Sequence, residues 1–220
     1  MKVHGEEFEK FYRVEDPWKV LNKNVRNYVL KKTFKKHLKS VDKIIEIGCG
    51  EGNYSSYINK FVKNCNGIDI SHTAIERAKS LQLKNYIFKQ DDLSNVDYSK
   101  YDAVIALEVI YYLSAEEQNK WWQTVRKNDL IIFSAPIIGE NQFRKYFTDE
   151  KLKRLFKRLS LKVIDERNLS FDGTKSLKHR ILNKLLFSNF LCENYLSYKI
   201  LQTIPSNLIY QKVYVLTHLS

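Results

Sequence analysis

The chain has 220 residues with 37 basic and 25 acidic side chains, a formal net charge of +12, and 44% apolar and 13% aromatic residues. That length suits one large domain, and so apolar a chain with only 7 Gly and 3 Pro can bury a full core, which excludes disordered and collagen-like classes. The basic excess puts polyanions among the candidate partners and is silent on fold.

The opening residues MKVHGEEFEK carry acids where an export signal needs an apolar stretch, and no apolar run approaches the roughly 18 to 20 residues that span a bilayer. The sequence therefore predicts a soluble, cytoplasmic protein. Its cysteines, Cys49, Cys65 and Cys192, are odd in number and widely spaced, with no CxxC pair and no His at ligand spacing, so reduced thiols and no metal site are expected.

Residues 17–43 predict a helix, with Leu21, Val25, Tyr28, Leu30, Phe34 and Leu38 at helical spacing among many lysines. A buried strand over 43–47 follows and runs into GCGEG, then a helix over 54–62 and a strand over 67–70. Ser71 is the expected N-cap of a helix over 73–81. Next come a strand over 86–89, an Asp-rich loop, a strand over 103–107, a helix over 115–126 and a strand over 130–134. This alternation of strand and helix predicts an α/β domain with a doubly wound, mostly parallel sheet, helices on both faces and ligands at the carboxyl ends of the strands. After Pro136 a helix over 148–159 and a strand over 162–165 are separated from a last strand, 212–217, by a stretch too long for a hairpin loop. Residues 171–210 are therefore expected to form a helical insertion between the last two strands. With no repeat or low-complexity linker, one domain is expected over 1–220: a helical cap (1–43), a cofactor-binding core (44–136) and the insertion.

The most informative segment is IIEIGCGEG, residues 44–52. Gly48, Gly50 and Gly52 let a ligand approach the backbone, and the helix that follows presents free N–H groups. A dinucleotide fingerprint would want a third Gly at position 53, which is Asn53, and would set a pyrophosphate against the carboxylate of Glu46. An acid at this position suits instead a ligand with a cationic amino-acid end and a sulfonium, S-adenosylmethionine.

With these residues the chain resembles the class I S-adenosylmethionine-dependent methyltransferases, whose motifs run in order from about residue 44 to 136. The resemblance implies a Rossmann-like seven-stranded sheet, S-adenosylmethionine as methyl donor and S-adenosylhomocysteine as product. GIDIS (67–71) resembles the motif whose acid holds both ribose hydroxyls, here Asp69, with Ile70 beside it; a carboxylate is the natural double acceptor for a diol. FKQDDL (88–93) resembles the motif whose acid receives the adenine amino group; Asp92, followed by Leu93, fits it better than Asp91, though the pattern does not separate the two. YDAVIALEVIYYL (101–113) resembles the strand that ends facing the transferring methyl group and implicates Glu108 and Tyr112 in catalysis, Glu108 also in cofactor contact. FYRVEDPW (11–18) resembles the start of small-molecule N-methyltransferases of the nodulation S type, which act on an amino sugar, and FRKYFTDEKLKRLF (143–156) resembles a helix of the same relatives. In such enzymes an aromatic N-terminal segment folds over the cofactor, which implies Tyr12 and Trp18. Where a Pro-Gly-Gly turn is frequent in the family, this chain has Arg126, Lys127, Asn128 and Asp129.

Plainer roles stand beside these. Cys49, inside the cofactor turn, is expected to pack rather than react, because no base lies near it in sequence. Glu108 could cap the next helix, Tyr111 and Tyr112 could be core, and His179 is the histidine nearest an expected ligand face. Residues 17–43 also hold nine basic residues against Asp42 alone. That stretch could follow RNA phosphates or rest on an anionic membrane surface, or form a solvated face. The expected partner is a small-molecule acceptor, neutral or anionic, such as a sugar or amino sugar, with RNA as the alternative and a non-catalytic binding subunit as a third. A monomer or homodimer fits equally well.

Overall fold

The structure, a computed structural model, describes residues 5–21, 24–137, 147–172, 181 and 194–219. Its centre is a seven-stranded sheet: β1 (Lys43–Ile47), β2 (Asn64–Asp69), β3 (Tyr86–Gln90), β4 (Ala103–Leu107), β5 (Leu130–Pro136), β6 (Leu161–Phe171) and β7 (Ile209–His218). The spatial order is β3-β2-β1-β4-β5-β7-β6. β1 to β5 pair in parallel, and β7 lies antiparallel between β5 and β6, so the sheet is mixed. β4 and β5 are buried at every residue and β1 at all but its first. A strand without an exposed side needs cover on both faces, which is why these segments read as unbroken apolar runs.

The helices are α1 (Gly5–Phe11), α2 (Asn24–His37), α3 (Ser55–Ile58), α4 (His72–Ser80), α5 (Ala115–Val125), α6 (Asp149–Arg158) and α7 (Asn194–Thr203). The predicted Ser71 cap forms on α4, accepting from the Ala74 N–H at 3.1 Å. On α5, Ser114 and Glu117 form a reciprocal capping box that the sequence reading did not single out. On α5 and α6, Trp122 and Phe156 pack edge-on against each other, with Phe156 against Tyr214 of β7 at 5.4 Å between centroids.

Three expectations are corrected. Residues 17–43 are not one helix, because Asp16 takes a positive φ and its carboxylate accepts the backbone N–H groups of Val20 (2.6 Å) and Leu21 (3.0 Å), an alternative to helical pairing. The helix begins at Asn24, and Leu21, expected on an apolar helix face, is 60% exposed. The expected helix over 54–62 shrinks to the single turn of α3. The insertion is narrower than 171–210, since β6 runs to Phe171 and β7 starts at Ile209; within it, α7 packs on α2 and β6 through buried Ser197 and Leu201. His4, His179, Cys192 and most of the remaining insertion lie outside the described residues. No described helix is long and apolar enough to cross a membrane.

The strand order reverses between β1 and β4, both of which extend from the middle of the sheet. Ligands of open α/β sheets bind in the crevice outside such a switch point.

Candidate active site

A cavity of about 840 Å³ opens at the carboxyl ends of β1, β2 and β4 beneath the segment that follows α1. Its floor is the glycine turn after β1. Gly48 and Gly50 have φ of +63° and +54°; a Cβ on Gly48 would lie 2.2 Å from Val109 Cγ2, and one on Gly50 would lie 2.8 Å from the Tyr12 hydroxyl. Only a residue without a Cβ takes this conformation in this space. Gly52 serves a different purpose: it is not part of the cavity wall, and a Cβ there would press on Leu81 beyond α4, so it secures packing.

Two carboxylates frame the turn. Glu46, 3% exposed, accepts on Oε2 from Ser55 Oγ (2.6 Å) and the Tyr86 hydroxyl (2.7 Å). Burial pushes its pKa up to about 7, against the pull of those two donors. Asp69 ends β2 and accepts from the Gly50 N–H (2.9 Å) on one oxygen and the Ser71 N–H (3.0 Å) on the other. Burial raises its pKa as well, opposed by these backbone donors. Asp69 thus ties the glycine turn to the N-terminus of α4 and keeps lone pairs for a ligand. Ile70 beside it lies in the cavity wall, under Gly5 of α1. Cys49 donates its N–H to the Ile68 carbonyl, and burial pushes its thiol well above the ordinary range, so it is an inert packing group.

Asp91, Asp92 and Leu93 also line the cavity. Both oxygens of Asp91 are engaged, by Lys89 on one and by the Asp92 N–H and Asn95 on the other, and Lys89 and Asn95 hold its carboxyl below the usual range. Asp92 accepts from Ser94 through Oδ1 alone, so its Oδ2 has no hydrogen bond to a described residue. The geometry therefore distinguishes two acids of which the sequence only preferred Asp92.

The roof is made by α1 and residues 12–18. Tyr12 is 5% exposed, and the Trp18 ring packs on Phe11 at 5.0 Å. Both Tyr12 and Trp18 line the cavity. Three residues that the sequence did not single out hold this roof down. Glu51 accepts the Asp16 N–H at 2.8 Å and pairs with Arg77, Arg77 also donates to the Val14 carbonyl at 3.0 Å, and Glu9 accepts from the first N–H groups of α4. No local pattern marks them, because each pairs with a residue tens of positions away.

At the other end, Glu108 follows β4 at φ +60°, a left-handed conformation that costs a residue with a Cβ on the order of 1–3 kcal/mol. Its carboxylate accepts from Ser134 Oγ (2.8 Å) and Gln211 Nε2 (2.8 Å), with Arg26 Nη2 at 3.7 Å. Glu108 is thus oriented by β5, β7 and α2. Tyr112 stands over the cavity with its ring edge-on to Phe8 at 5.2 Å, and Tyr111 packs beside it. Arg26, Ser134 and Gln211 were missed in sequence, where Arg26 is one cation among nine and Gln211 merely precedes the predicted last strand.

Part of the basic stretch is engaged by the fold. Arg26 is buried, Lys31 lies 3.9 Å from the Tyr57 ring centroid, Lys32 sits among three tyrosine rings, Lys36 pairs with Asp165 at 3.0 Å, and Lys43 lies over Tyr101. Lys19, Lys35, Lys36 and Lys39 are exposed, so the Lys36 ion pair lies at the surface, while Lys23 lies outside the described residues. Among the described residues no cluster of His, Cys, Asp or Glu is arranged to hold a metal ion.

Residues 44–128 match the family model described as a methyltransferase domain. Nodulation protein S of Azorhizobium caulinodans is 25% identical over 100 residues, covering 42% of this chain and 48% of that protein, so the chain spans about half the length of the curated relative it matches. Among solved structures, a S-adenosylmethionine-dependent methyltransferase from Clostridium acetobutylicum superposes with a TM-score of 0.61 at 14% identity, covering 98% of this chain and 99% of that one. Magnesium protoporphyrin IX methyltransferase from Synechocystis with bound S-adenosylmethionine gives 0.61 at 13% identity, covering 90% and 81%. Residues 44–128 thus resemble a methyltransferase domain, and the chain has a Rossmann-like methyltransferase fold whose seven-stranded sheet is mixed.

Proposed function

We propose that this protein transfers the methyl group of S-adenosylmethionine to a nitrogen or oxygen of a small-molecule acceptor, with amino sugars the first class to try. The observation that carries this reading is the convergence, in one roofed cavity, of a glycine cradle, the two buried carboxylates Glu46 and Asp69, and a third acid, Glu108, held by three distant elements. The donor set fits the cofactor, since carboxylates at one end suit an ammonium group and a diol, and the closeness of the Gly50 backbone to Tyr12 leaves a cradle that any side chain would fill.

In this reading Asp69 would hold the ribose, Asp92 would receive the adenine amino group, and Glu46 would face the ammonium of the amino-acid end. When bound, S-adenosylmethionine would supply an electrophilic methyl group on a sulfonium, with the neutral thioether of S-adenosylhomocysteine as leaving group. The residues of this chain chiefly align and enclose. Tyr12 and Trp18 exclude water from above. Glu108 has both oxygens fixed by Ser134 and Gln211, and each retains a lone pair, so it can accept the hydrogen of an amine or hydroxyl acceptor and orient its lone pair. Tyr112 shapes the same space.

A small acceptor is favoured over RNA because most cations of α2 are engaged within the fold and the cavity is roofed. The unpaired buried thiols Cys49 and Cys65 support a reducing, cytoplasmic setting. Calorimetric titration with S-adenosylmethionine and S-adenosylhomocysteine tests the proposal: micromolar binding of both is expected, and binding of neither overturns it.

A further inference from the structure

We propose that Arg26 is the residue that selects the acceptor, and that it does so by binding an anionic oxygen, of a carboxylate or a phosphate, carried by the molecule to be methylated. This rests on the reading of the cavity as a methyltransferase site and goes beyond it to the acceptor's chemistry. Arg26 is 4% exposed and lies in the cavity wall. A guanidinium has five donors, and burying them unpaired is costly. Here Nε has no hydrogen-bond partner among the described residues, Nη1 reaches Gln211 Oε1 only at 3.4 Å, and Nη2 stands 3.7 Å from Glu108. The Tyr54 ring beside it, 5.9 Å from the guanidinium carbon, supplies no full charge.

The neighbouring carboxylate does not satisfy this cation. Glu108 directs its two oxygens to Ser134 and Gln211, each at 2.8 Å, while Gln211 Oε1 also accepts from Ser170 at 2.9 Å. Neutralising Glu108 alone would favour a close, two-pronged contact, the geometry arginine and carboxylate make most readily. The long separation leaves a positive fork and a negative acceptor side by side on one wall. A ligand that complements both carries an anionic oxygen a few bonds from the amine or hydroxyl that receives the methyl group.

The test uses the full chain loaded with S-adenosylhomocysteine, whose own binding is measured first and reports separately on the methyltransferase reading. Glucosamine 6-phosphate is titrated against glucosamine, galacturonate against galactose, and inorganic phosphate alone. At least a tenfold preference for a charged sugar over its neutral partner is expected, and which pair shows it distinguishes phosphate from carboxylate. Arg26→Gln is expected to abolish that preference with S-adenosylhomocysteine affinity held within threefold, and Arg26→Lys to keep part of it. If Arg26→Gln does not fold, the preference in the unaltered protein and its partial loss in Arg26→Lys decide. Equal binding within both pairs, absence of heat with every anion, or a preference that survives Arg26→Gln would each overturn the proposal. So would an equal loss of charged and neutral sugars in Arg26→Gln, which would mark Arg26 as a support for Glu108 only.

Discussion

The two halves of the cavity are built in opposite ways. The half proposed for the cofactor is assembled from a few short segments, the turn over 48–52, Asp69 with the Ser71 cap, and the 91–95 loop, the first two joined by the Gly50–Asp69 hydrogen bond. The acceptor half is assembled from single residues on α2, β4, β5 and β7, with Arg26, Glu108, Ser134 and Gln211 drawn from across the chain. In the proposed reading the first half recognises a ligand shared by many enzymes and can be written as a local motif, while the second faces the acceptor, the part of a site where specificity varies within one fold.

Substitutions in the two halves should therefore separate in their readouts. The largest effect is expected from Asp69→Ala, which removes the ribose acceptor and the partner of two backbone N–H groups; hydrogen bonds to a charged group are worth about 1.5–3 kcal/mol each, so cofactor affinity should fall by at least about 100-fold in calorimetry. Unchanged affinity would mean the ribose lies elsewhere. Glu108→Gln should show the reverse pattern, with turnover reduced by about 100-fold, within the range of lost general-base catalysis, and cofactor affinity held within about threefold. A variant with full turnover would remove Glu108 from any chemical part.

A smaller effect is expected from Gly50→Ala. The new methyl group meets the Tyr12 hydroxyl at 2.8 Å and the backbone keeps a positive φ, a combined cost of about 1–3 kcal/mol, so cofactor affinity should fall about tenfold. Adding Tyr12→Phe removes the clashing hydroxyl and should recover part of that loss; no recovery would show that the strap does not press on the turn.

Glu46 links the cofactor half to pH. Its folded pKa is raised from 4.5 to about 7, so between those values the folded state holds a proton that the unfolded state has released. Stability should accordingly fall as pH rises from about 4.5 to about 7, by about 1–3 kcal/mol, and Glu46→Gln should flatten that slope in thermal melts. Asp69, raised by burial, acts in the same direction. A cationic ligand favours the ionised Glu46, so cofactor binding at pH 6 should release protons, read as a dependence of the binding heat on buffer ionisation enthalpy. The smallest effect belongs to the exposed lysines. Lys35→Glu with Lys39→Glu should leave cofactor affinity and small-acceptor turnover within twofold, whereas a salt-dependent loss of turnover on a short RNA would restore the polyanion alternative.

Legibility in sequence followed the same division. β1 and β4 begin and end where their apolar runs do, and Ser71 caps α4 as its spacing implies, because burial on both faces and a side-chain cap leave a pattern within a few residues. The helix expected over 17–43 failed at Asp16, whose side chain takes backbone donors that periodicity cannot see. The acids of 91–92 could not be told apart until Lys89 and Asn95 were seen to occupy one of them.

What the sequence by itself determined is the alternation of elements, the glycine turn, and the acids that end β1 and β2, since backbone conformation and burial pattern are local properties of the chain. Only the tertiary structure decided that β7 enters antiparallel between β5 and β6. It also brought Gln211 to Glu108 and turned Arg26 from a surface cation into a buried one. The physical reason is that hydrogen-bond partners and desolvation depend on which distant segments pack together, and a linear pattern of residue types does not record that.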